Sequence, residues 1–143
     1  GEYKDAFRLI EQYPIFGVGF GAAPDVDLYI GVSSVYLLLA EQMGLLGLLA
    51  FVGIVGTVLW RAVRIALRET GTESDALLIG AIGALVSALV AGALDHHFVN
   101  IRFPHMTALF WLVCALCVVA SELVRTEARE PAAELANESA GAL

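Results

Sequence analysis

The chain has 143 residues, of which 59% are hydrophobic and only 16% charged, with a mean hydropathy of +0.78. A soluble domain of this size has about half its residues apolar and about a quarter charged, so the excess argues against a water-soluble globule. The net charge of −7 comes without a basic patch interleaved with aromatics, which argues against nucleic acid as a partner.

Residues 2–13 read as an amphipathic helix, with Tyr3, Ala6, Phe7, Ile10 and Tyr13 at helical spacing and Lys4, Asp5, Arg8, Glu11 and Gln12 elsewhere. Such a helix is too polar to span and would lie along a membrane interface. Pro14 ends it, because the residue before proline avoids the α region. Gly17, Gly19 and Gly21 then suggest a flexible turn. A first membrane helix is expected from about residues 31–36 to Trp60, where Trp60 and Arg61 form an interfacial anchor. Residues 61–75 read as a polar connection with one or two further helical turns. The second helix is residues 76–94 and carries no charge. Residues 95–105 form a polar loop, and a third helix runs from about residue 103 or 106 to Leu123. The tail beyond it, rich in Ala and Glu, is expected to be disordered or frayed.

Each apolar run is long enough, or nearly so, for a bilayer core about 30 Å thick. The expected fold class is therefore all-α and integral to the membrane, with three transmembrane helices preceded by an amphipathic interfacial helix. Residues 1–34 are expected as an external helix and Gly-rich loop, 35–124 as the transmembrane region, and 125–143 as a cytoplasmic acidic tail. Gly1 is not a start Met, and no basic segment with a cleavage site follows it. The chain reads as an internal or C-terminal part of something longer. Arg61, Arg64, Arg68, Arg125 and Arg129 belong on one side, and Lys4, Arg8 and Arg102 on the other. The richer side is expected to be cytoplasmic. Along the second helix, Gly80, Ala84, Ala88 and Gly92 form one small-residue row and Gly83, Ser87 and Ala91 another, which suggests close helix packing on two sides.

The groups that could carry chemistry are few. Glu41 lies within the first membrane helix, where an ionisable side chain is costly and by default faces the bundle or water and has a function. The competing reading is that it snorkels to the interface. Asp95, His96, His97, Asn100, Arg102 and His105 form the densest polar cluster. Histidine there could carry a proton and Arg102 could grip a phosphate, although a plain solvated loop would look the same. The histidine spacing matches no strong metal site, so no metal is expected. Backbone amides of Gly17 to Gly21 could approach a phosphate, but a tight turn is the simpler reading. Cys114 and Cys117 sit in an apolar run and read as small hydrophobes.

The run Tyr13-Pro14-Ile15-Phe16-Gly17-Val18-Gly19-Phe20-Gly21 resembles an element of the O-antigen ligase and O-antigen polymerase family. The stretch Tyr36-Leu37-Leu38-Leu39-Ala40-Glu41-Gln42-Met43-Gly44-Leu45-Leu46-Gly47 resembles the second half of that family's next motif. The resemblance covers residues 1 to about 60. It implies transfer of glycan from an undecaprenyl diphosphate carrier at the outer face of a bacterial cytoplasmic membrane, with no cofactor. Carried over by position, it implies a role for Glu41 and for Gly17, Gly19, Gly44 and Gly47, with Arg8 as a candidate for the diphosphate. Where the family has His-Asn, this chain has Val32-Ser33-Ser34, which suits a polymerase-like or divergent member better than a true ligase.

The function expected is thus that of the C-terminal part of a membrane glycan polymerase or ligase-like protein. Glu41, His96 and His97 would be catalytic, and Arg8, Gly17, Gly19 and Arg102 would bind substrate. Its partners would be the bilayer, the lipid-linked glycan and other transmembrane helices. The rival is a non-catalytic or degenerate packing module. A transporter fragment ranks third, since only Glu41 and Ser87 come near the middle of a span.

Overall fold

The computed structural model describes residues 2–19, 34–68, 71–94 and 104–141. Among these residues it contains no strand and four helices, α1 (Glu2–Gln12), α2 (Val35–Arg68), α3 (Asp75–Leu94) and α4 (Pro104–Gly141). The all-α class expected from the sequence is the class observed, with a short helix ahead of three long ones.

The three long helices need lipid. Each contains an 18-residue window of mean hydropathy 2.2 to 2.4. Much of that apolar surface points outward, with Leu49 67%, Val90 60% and Val119 54% exposed. A soluble monomer does not expose apolar area on this scale, at about 25 cal/mol for every Å² left in water. Inside a bilayer the same surface is solvated by acyl chains. The protein is a multi-pass membrane protein.

Two helices outrun the apolar layer. α2 runs for 34 residues, and it continues two turns past Trp60 through Arg61, Arg64 and Arg68. Arg, Ala and Leu are good helix formers, so leaving the apolar layer gives the helix no reason to stop. α4 starts with Pro104, whose missing N–H costs nothing in a first turn. It then runs through 38 residues to Gly141, well beyond Leu123.

The buried faces follow a heptad-like spacing. On α3 they are Leu78, Ala81, Leu85, Ala88 and Gly92, and on α4 Phe110, Cys114, Cys117, Ser121 and Val124. Spacings of three and four keep one stripe on one side of each helix. Small residues make up much of both stripes, as close packing in lipid requires. The small-residue rows expected on α3 meet this stripe only at Ala88 and Gly92. Gly80, Gly83, Ala84 and Ser87 are exposed, because the larger Leu78 and Leu85 set which side turns inward.

The chain divides into two compact units, one of Gly1–Val55 with Ser87–Phe110 and the other of Gly56–Val86 with Trp111–Leu143. In the first, the rings of Phe51 and Phe110 stack at 5.7 Å and the Tyr36 hydroxyl donates to the Leu89 carbonyl at 2.9 Å. Gly92 lies against Val35, where a Cβ would come within 3.3 Å of its methyl. On α1, Leu9 is buried, while Phe7 and Tyr13 from the expected apolar face are 56% and 48% exposed. In the second unit, Ala62, Leu78, Leu85, Cys117 and Val124 form the core. The Ser74 hydroxyl and amide both donate to the Glu127 carboxylate, at 2.5 and 3.1 Å. Asp75 closes the turn before α3 by accepting from the Gly71 amide at 2.7 Å and from the Thr72 hydroxyl at 2.5 Å.

Candidate functional site: a break in α2 beside a buried glutamate

α2 is not continuous. Gly44 has φ 71° and ψ −177°, which no helical residue adopts. A break of this kind strips partners from the backbone before and after it. The carbonyls of Glu41 and Gln42 lose the amides four residues on, and the Leu45 amide loses its carbonyl. In a bilayer each such group, left bare, costs several kcal/mol.

Residues 13–19 supply the missing partners. The amides of Val18 and Gly19 donate to the carbonyls of Glu41 and Gln42, each at 2.9 Å, and the Leu45 amide donates to the Pro14 carbonyl at 2.8 Å. Three backbone bonds thus tie a strap across the break. The strap is shaped by its own start. The Tyr13 amide donates to Leu9 and the Gly17 amide donates to Tyr13 at 3.0 Å, which carries one more turn past Pro14 before Gly17 redirects the chain at φ 66°.

Gly17 and Gly44 are each obligatory on two counts. Both have a left-handed φ, and both lie against the opposite backbone. A Cβ on Gly17 would sit 2.6 Å from the Gln42 carbonyl oxygen, and one on Gly44 would sit 2.7 Å from the Phe16 nitrogen. Gly19 also has a left-handed φ, of 83°, but faces open space.

Glu41 sits three residues before the break and is 1% exposed. Leu38, Leu39 and Ala40 before it are buried too. Four consecutive buried residues cannot come from one helix face, so this half-helix is enclosed on several sides. Its carbonyl is held by Val18 while its side chain is kept from solvent. The snorkelling reading of Glu41 does not describe this burial. A carboxylate fixed at a helix break, away from bulk water, can accept a proton or orient a cation or hydroxyl.

The structure brings Glu41, Gly17 and Gly19 together. The amides of Gly17, Val18 and Gly19 all donate to carbonyls of the chain, so this turn's backbone is committed to the strap. Arg8 is exposed near the end of α1, and His105 is exposed in the first turn of α4. His96, His97 and Arg102 lie outside the described residues. Cys114 and Cys117 are buried in the α4 stripe as free thiols, and the Ser121 hydroxyl bonds back to the Cys117 carbonyl at 2.6 Å. Reading the sequence missed the break and the parts that Pro14 and Gln42 play in it. The available signal was that two glycine-bearing segments, 13–21 and 41–47, flank an ionisable residue.

Comparison with known families, characterised proteins and solved structures finds no match.

Proposed function

We propose that this chain is the C-terminal part of a bacterial cytoplasmic-membrane glycan polymerase or ligase-like protein, acting on an undecaprenyl-diphosphate-linked oligosaccharide. The observation that carries this reading is the strap of residues 13–19 docked on the α2 break beside buried Glu41. The two segments that resemble the glycan-transfer family are the two that meet there. Broken membrane helices and buried intramembrane carboxylates are where transporters and membrane enzymes hold polar ligands.

The chemistry would be substitution at an anomeric carbon. An acceptor sugar hydroxyl forms the new C–O bond, the bond from that carbon to the diphosphate oxygen breaks, and undecaprenyl diphosphate leaves with the electron pair. Glu41 would take the hydroxyl proton or hold the hydroxyl for attack. His96 and His97 are the alternative proton carriers, and Arg102 and Arg8 the candidates for the diphosphate charge.

Replacing Glu41 by Gln in the full-length protein keeps the volume and removes the base. Glycan polymerisation should fall by roughly 10²–10⁴-fold, the usual contribution of a positioned general base, with membrane abundance of the protein unchanged. A normal distribution of chain lengths from well-expressed E41Q protein would remove Glu41 from the mechanism.

A further inference from the structure

A second polar feature lies in the other unit. Arg61, Arg64 and Arg68 are three and four residues apart on α2, and Arg125 and Arg129 are four apart on α4, so each set occupies one helix face. With Trp60 and Ile65, these five guanidinium groups line one groove of about 350 Å³. Glu122 answers two of them, with Oε1 at 2.9 Å from Arg61 and Oε2 at 3.5 Å from Arg125. Glu127, further along α4, is turned to Ser74, and Glu130 does not line the groove. Positive charge in the groove therefore exceeds the acidic groups that line it.

We propose that this groove binds the phosphodiester headgroup of an anionic membrane lipid. The planar fork of arginine suits phosphate oxygens, which it can hold two at a time. The Arg64 guanidinium carbon lies over the Trp60 ring, 4.4 Å from its centroid, a cation–π contact that holds this side chain beside the groove. Trp60 ends the long apolar run of α2, the depth at which tryptophan sits among headgroups. A lipid whose acyl chains lie against that run presents its phosphate at this level, at a local concentration no free anion reaches. This site is independent of the glycan reading, since it shares no residue with the α2 break.

The test uses the full-length protein reconstituted in phosphatidylcholine vesicles with and without phosphatidylglycerol, then extracted in mild detergent and weighed for retained lipid by native mass spectrometry. Phosphatidylglycerol should be retained in preference to phosphatidylcholine. The combined change R64Q, R68Q and R129Q spares the two arginines paired to Glu122. It should lower that retention on the order of fivefold for each arginine removed, while the corresponding lysine changes keep most of it. Added inorganic phosphate should not displace the lipid. Equal retention of the two lipids, an unaltered glutamine variant, or displacement by inorganic phosphate would each overturn the proposal. Should the glutamine variant fail to fold, retention by the unmodified protein must still fall as salt is raised, and retention indifferent to salt overturns it as well.

Discussion

At the level of single residues, the α2 break makes glycine positions unequal in a way that their neighbours in sequence do not announce. Gly44 and Gly17 combine a left-handed φ with a backbone contact that a Cβ would overlap. Substituting alanine adds the left-handed penalty of roughly 1–2 kcal/mol and forces the strap away from α2, loosening the bonds made by Val18, Gly19 and Leu45. Gly44→Ala and Gly17→Ala should each cost about 2 kcal/mol or more. Gly19→Ala, with a similar φ but open space around it, should cost about half as much. Gly53→Ala, helical and open, should be neutral or slightly stabilising. Thermal melting of the detergent-solubilised protein, followed by its monodispersity, gives the order. A melting temperature for G44A equal to that of G53A would show that the strap does not depend on close approach at Gly44.

At the level of elements, the helices announce themselves and their ends do not. Residues 76–94 are readable as a span because lipid demands an unbroken apolar run, and α3 occupies Asp75–Leu94. Nothing comparable marks where α2 ends, since Arg61 to Arg68 are polar by composition but helical by propensity. The break was less legible still. Gly47, Gly53 and Gly56 lie in the same helix without interrupting it, so a glycine in a membrane helix is not itself a sign. Gly44 differs through partners some thirty residues upstream (roughly the separation of Pro14 from Leu45), which no local window contains. The arginines mark a side of the membrane by their number, and their helical spacing in the sequence also puts each set on one face. Between α2 and α3 the turn is held by Ser74 on Glu127. Removing that acceptor by Glu127→Ala frees both donors of Ser74 without touching the apolar core. Amide hydrogen exchange at residues 72–74 should become several-fold faster while the cores of α3 and α4 exchange as before. Unchanged exchange at Ser74 would mean that the Asp75 bonds alone hold the turn.

At the level of the whole molecule, the question is which ends of the helices meet which side of the bilayer. Three candidate spans among the described residues, if each crosses the bilayer, would put the segment before α2 and the segment after α4 on opposite sides. Residues 71–74 would then share a side with the α4 tail. The arginine-rich helix ends lead us to expect residues 71–74 and the α4 tail on the cytoplasmic side, because basic residues near helix ends resist translocation. The buried state of Cys114 and Cys117 makes this directly measurable, since the two native thiols give little background to a water-soluble maleimide. A cysteine at Asn100 should be labelled by a membrane-impermeant maleimide in intact cells. One at the exposed Glu73 should react only after the membrane is opened. The glycan reading needs that order, because a polyprenyl-linked oligosaccharide is used on the outer face, and Glu41 enters the membrane from the α1 side of α2. The reverse order would put Glu41 on the cytoplasmic half and exclude such a substrate. The arginine groove would survive the reversal, since anionic headgroups occur in either leaflet and the groove needs only to lie at their depth.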